Sequence, residues 1–255
     1  AQIAAIETKD LQAVTSRQMF GIDSIQIAAF TTKQIAGMDS QNVFGIDSIS
    51  IKGMGTAQIA ALQTQDVSFG AVTRQLYALD SSQVSAFTTK TIAALSSAQL
   101  SGISNDIVGF TTAQVAGIRT DQALYFDSSQ IDVMTTNQIA AFETRDLIHM
   151  DSTNFQALDS VQIGAFTTAQ VFKLGSSAFA GIDSQDFVGF STAQVSALTT
   201  AVFSDFGSAS VRGLDSAQFG ALKTKTVNIL SSKQVSQIDT NDIIGFNTKQ
   251  LVAIN

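Results

Sequence analysis

The side chains able to carry chemistry are few. His149 is the one histidine of 255 residues. It lies between Ile148 and Met150, at a place that is elsewhere almost always Ala or Gly. An imidazole among apolar neighbours is chemically a candidate base. With no partner at a fixed spacing, it reads instead as a tolerated surface or wall substitution. Cysteine is absent, which removes disulfides and thiolate metal ligands. Four acidic pairs are spaced three apart: Asp183/Asp186, Asp239/Asp242, Glu143/Asp146 and Glu7/Asp10. Such oxygens suit Ca2+, which takes several at once. No Asp-x-Asp-x-Asp-Gly loop or Gly-Gly-x-Gly-x-Asp run accompanies them, and carboxylates at helix starts already complement the helix dipole. Serine is abundant, but each Ser has a place in the repeat, so no Ser-His-Asp set can be assembled. Most of the glycines recur at repeat positions seven and one and form no phosphate-cradling loop. The expectation is no catalytic, cofactor-binding or metal-ligating residue, with Ca2+ the one cofactor left open, and no enzymatic activity.

The charge balance narrows the partners. Net charge is −7 and the isoelectric point about 4.5. Nucleic-acid binding needs a basic stripe that displaces counterions from phosphates, and none exists. The same sign disfavours anionic lipid. No apolar run approaches the roughly 18 residues of a membrane span, so membrane insertion is not expected.

What must position these residues is a repeat. The chain divides into about thirty-two eight-residue units, a self-similarity that points to stacked structure. In Thr31-Thr32-Lys33-Gln34-Ile35-Ala36-Gly37-Met38, numbered one to eight, position two is Ser or Thr in essentially every unit, from Thr8 and Ser16 to Thr248. Position four is mostly Gln, with Asp at 10, 66, 106, 146, 186 and 242. Position five is large and apolar in nearly every unit and position eight in all, so Phe there is core. Position seven is small, with exceptions at Tyr125, Val133, His149, Lys173, Asp205, Ile229 and Gln237. The register is continuous from Thr111 to Ile254. It is irregular over 63–110, with two extra residues near Phe69-Gly70, one missing before Thr73 and one missing around Ser104. One octad cannot bury its own apolar side and stacked octads can, so a single solenoid over 1–255 is expected.

Two local structures fit the octad. In the helical reading, position one caps a short helix and position four completes a capping box. The apolar residues at eight and five then form a hydrophobic staple. Glu7, Gln63, Arg119, Glu143 and Lys223 are poor caps at position one, which leaves position two as an alternative cap in some units. In the strand reading, Thr, Val, Ile and Phe favour sheet, and a Ser/Thr ladder at a corner explains position two. The short-helix α-solenoid is favoured and the β-solenoid is the alternative. Three octads per turn fits the recurrence of Phe20-Gly21-Ile22-Asp23-Ser24-Ile25 at Phe44 to Ile49, while the spacing of Asp66, Asp106, Asp146 and Asp186 supports five.

Leu198-Thr199 and the residues from Ile118 resemble the helix start of TAL effector repeats, but the period, the base-reading pair and the charge of that family are absent. Thr167-Thr168-Ala169-Gln170-Val171 and Ser191-Thr192-Ala193-Gln194-Val195-Ser196-Ala197-Leu198 resemble the octapeptide-repeat regions of very large secreted or surface proteins of bacteria, the adhesin-like class. The resemblance implies a structural role, extracellular or at the cell surface. Ala1 and Asn255 fall in mid-unit, and the apolar Leu251, Val252 and Ile254 are uncapped by charge, so the expected partners are flanking repeats or further copies of the chain. A stalk, fibre or sheath subunit is the leading expectation. The rival is a binding module that uses rows of Thr, such as Thr31-Thr32 and Thr111-Thr112, for a glycan, ice or another polymer.

Overall fold

The computed structural model describes residues 2–68 and 73–254, without the side chain of Asn105. The extra residues near Phe69-Gly70 therefore lie outside the described residues. Every described element is a short α-helix or 3-10 helix, and no strand occurs among the described residues. Each described octad forms one helix of a few residues and one corner, so the helical reading holds and the strand reading does not.

Position one is the N-cap of every α-helix whose cap is described, while the 3-10 helices start further along or, at Ser104, after Ile103. Thr31 precedes the helix Thr32–Ala36 in extended backbone, and its hydroxyl oxygen accepts from the Gln34 amide at 3.2 Å. In return Gln34 Oε1 accepts the Thr31 N–H at 2.8 Å. Asp23/Gln26, Ser96/Gln99, Asp215/Gln218 and Asn247/Gln250 repeat the same box. Glu7, Gln63, Arg119, Glu143 and Lys223 are also N-caps, but their side chains make no cap bond. The alternative that position two takes over the cap in these units is thereby corrected: its residue is already the first helical one.

Helices this short are not stable alone. Their order comes from packing, and the chain forms two compact units, Ala1–Val133 and Met134–Asn255. Within each, a helix lies against the one three octads back: Ser40–Gly45 on Ser16–Met19 in the first unit, Ser176–Gly181 on Ser152–Gln156 in the second. Positions five and eight fill the interior. In the first unit the core is mainly aliphatic (Ile27, Ile35, Met38, Ile59). In the second it is rich in rings, with Phe155, Phe179, Phe187, Phe203 and Phe219 all fully buried.

Position seven explains position two. A Cβ added to Gly37 would meet the Thr8 methyl at 2.0 Å, and one on Gly117 would meet the Thr89 methyl at 2.4 Å. Where position two is Ser, there is no methyl to meet and the neighbouring helix comes in further. A Cβ on Gly53, Gly109, Gly189 or Gly245 would lie 1.8–2.1 Å from the backbone oxygen of Ser24, Ser81, Ser160 or Ser216. These four glycines each end a 3-10 helix, the tighter form of the octad. A small residue at seven and a short hydroxyl residue at two are two halves of one contact between octads three apart.

The residue missing around Ser104 shows as backbone strain. Ser104 stands at φ 52, the one positive-φ non-glycine residue among the described ones, at the start of the 3-10 helix Ser104–Gly109. With position one deleted, Ile103 ends one octad and must also start the next. A left-handed residue costs about 1 kcal/mol or more unless it is Gly. Ser104→Gly should therefore raise the urea midpoint and Ser104→Val lower it, and equal midpoints for the two variants would contradict this account.

Candidate functional site

The most regular arrangement of polar side chains is the position-four column, and from Gln34 onward most of it is buried. Once Gln34 Oε1 has closed the capping box, its Nε2 donates to the carbonyl oxygens of Ile3 and Ile6, each at 2.8 Å. Ile6 is 28 residues earlier, at position eight of the octad four back. Gln58 does the same to Ile27 (3.0 Å) and Phe30 (2.7 Å). In the second unit Gln218 bonds Phe187 (2.9 Å) and Phe190 (2.6 Å), and Gln250 bonds Phe219 (3.1 Å) and Leu222 (2.7 Å). The acceptors are carbonyls at the ends of short helices, which lack enough partners within their own helix. One amide thus satisfies the start of its own helix and the end of another. Within each unit, octads pack three back and those with Gln bond four back, so the stack turns once in between three and four octads. Five per turn is not observed.

Aspartate at position four behaves differently, because a carboxylate only accepts. Asp66 is buried and accepts from the Ser40 hydroxyl at 2.7 Å. Burial pushes its pKa above the ordinary carboxylate range, the Ser40 bond opposes that shift, and the nearby Asp39 charge adds to it. Asp186 is raised as well, first by burial and then by Asp183 and Asp159. Asp146 is fully buried, with Arg145 Nε 3.5 Å from its Oδ1. For Asp66 and Asp186 the folded state binds the proton more tightly than the unfolded chain does. Their effect on stability is therefore most favourable below the unfolded value and is lost as pH rises through the folded value. Asn42 already occupies position four with its Nδ2 donating to Val14 O at 2.6 Å. Asp66→Asn should accordingly raise the neutral-pH urea midpoint, with a gain that shrinks as the pH falls and the Asp66 carboxylate takes up its proton. A gain that is constant across pH would show that ionisation of Asp66 is not its source.

The acidic pairs are occupied in structural ways. Glu7 pairs with Lys9 at 2.8 Å and Glu143 with Arg145 at 3.0 Å. Asp183 accepts from the Gln185 amide and Asp239 from the Asn241 amide. No three His, Cys, Asp or Glu residues come together to hold a metal ion among the described residues. His149 is exposed, beside an Ile148 that is itself half exposed. Among the described residues, no helix is long and apolar enough to cross a membrane.

The exposed face holds a feature that the octad pattern does not announce. Phe20 and Phe44 occupy position six, which varies freely, and they are exposed together with Ile49 at position three. With Arg17 and Arg74 they line an open groove of about 820 Å³ in the first unit. Neither arginine pairs with a carboxylate among the described residues. The usable signal in the sequence was an aromatic residue at a variable, non-core position, repeated three octads apart.

Residues 3–40 and 139–176 match the family described as the ALTTAQ repeat. The two matches fall in different compact units and show that this is a repeat protein. No curated protein matches the chain.

Proposed function

We propose that the chain is a structural element of an extracellular or cell-surface assembly, a stalk, fibre or sheath that works by stacking and without catalysis. The observation that supports this most is the position-four amide, which spends its hydrogen bonds on the backbone of its own octad and of one four back. The bond recurs in both compact units wherever Gln34, Gln58, Gln218 and Gln250 stand at position four, so further octads carrying Gln dock by the same rule, whether they belong to the same chain or to another copy. The six Thr-Thr pairs are drawn into this plan too. Thr31, Thr88, Thr111, Thr135, Thr167 and Thr199 all accept a helix amide as caps, which leaves them poorly suited to an ordered ligand lattice. Sedimentation velocity and electron microscopy across protein concentration test the proposal. Ordered, concentration-dependent growth is the expected result, and a single species at every concentration would overturn self-assembly. Antibody labelling of intact cells of the source organism tests the location.

A second reading, a surface adhesin, is favoured by the groove at Phe20 and Phe44. Ring faces present a stacking surface, and unpaired guanidinium groups take carboxylates in bidentate fashion. An acidic polysaccharide is the polymer this combination suits. Binding to such a glycan that disappears in Arg17→Ala/Arg74→Ala would support it.

A further inference from the structure

The amide column is interrupted in the second unit. Position four is Ala178, Val202 and Ser210 in the octads beginning at Gly175, Thr199 and Gly207. Aromatic packing is dense around the interruption: Phe203 and Phe206 stack at 4.7 Å between centroids, and Phe206 lies 5.3 Å from both Phe179 and Phe187. The gap at Ser210 lies against a cavity. By the rule that Gln218 and Gln250 follow, a glutamine at 210 would donate to the carbonyls of Phe179 and Ile182 and accept from the Gly207 amide. Ser210 is too short to reach them. No described residue donates to Phe179 O or Ile182 O, and the Gly207 N–H has no described acceptor.

The space is open as well as unsatisfied. A cavity of about 360 Å³ is lined by Phe179, Ile182, Phe206, Gly207 and Ser210, with Asp205 and Ser176 at one side. A Cβ on Gly207 would meet nothing within 4 Å. The Asp205 carboxylate is already engaged, since it accepts from the Ser176 hydroxyl. Beside that carboxylate, which can accept further bonds, the backbone groups lacking partners are two acceptors and one donor, set against ring and aliphatic walls. A carboxylate cannot donate to the two carbonyls, and an ammonium cannot accept from the amide. A primary carboxamide does both, as the Gln side chain does in other octads.

We propose that this cavity is a binding site for a small molecule carrying a primary carboxamide on an apolar body. Pockets of this size are within the range that holds small ligands. The polar groups fix the amide, and Phe179, Phe206 and Ile182 cover the rest.

The test titrates the whole chain with propionamide and benzamide and follows the backbone amide signals of Gly207 and Ser210 by NMR. Propylammonium, propionate and N,N-dimethylpropionamide are the comparison probes. Saturable shifts at Gly207 with both primary amides are expected, with binding at least about tenfold weaker for the three comparison probes, which is the loss of roughly one hydrogen bond. Ser210→Gln supplies the amide within the chain and should raise the thermal midpoint while abolishing saturable binding. Tighter binding of propylammonium, equal binding of the dimethyl amide, absence of saturation, or binding that survives in a folded Ser210→Gln variant would each overturn the assignment. If that variant does not fold, the selectivity of the unsubstituted chain decides.

Discussion

Gly189→Ala is expected to destabilise the second unit by about 3 kcal/mol, the upper end of what overpacking costs. The new Cβ would lie 1.9 Å from the carbonyl oxygen of Ser160 and 2.7 Å from its carbon. Both atoms are backbone, so the clash cannot be relieved by turning a side chain, and the two octads must separate. Separation loosens the packing of Phe187, buried two residues before, and disturbs the Gln218 bonds to Phe187 and Phe190. Gly207→Ala is the control, since its Cβ meets open space and its φ of −68° is open to any residue. That change should be neutral or stabilising by about 0.5 kcal/mol through the unfolded chain. Urea midpoints followed by circular dichroism separate the two. Similar midpoints for both variants would mean that position seven is small for some reason other than contact with position two.

Gln218→Leu should cost at least as much. Gln218 is 2% exposed, and its loss strands two carbonyls and the Asp215 N–H in a site that water enters poorly. Each buried group left unsatisfied costs about 1–3 kcal/mol, so a total near 4 kcal/mol is expected. Leucine keeps the volume, which assigns the loss to hydrogen bonding. Gln18→Leu is the comparison. Gln18 is exposed and serves only its own box with Thr15, so about 1 kcal/mol should be lost. A Gln218→Leu midpoint close to that of Gln18→Leu would show that the bonds to the earlier octad contribute little.

The sequence by itself determined the octad, its cap, its box and its core positions. These are local: an N-cap such as Asp23 and its Gln26 are three residues apart, and no other part of the chain is needed to satisfy them. The irregularity at Ser104 was likewise visible as a missing residue before it appeared as a left-handed backbone. The tertiary structure alone decided what the second half of each side chain does. Gln34 reads as a capping residue, yet its Nε2 spans 28 residues to Ile6, a distance that depends on how many octads make a turn. The constancy of Ser or Thr at position two had no local explanation either, because its cause is a position-seven neighbour three octads away. The exposed aromatics at position six and the gap at Ser210 belong to the same class. A side chain at a variable position becomes a groove, and a short residue becomes a cavity, only when stacking brings distant octads together around it.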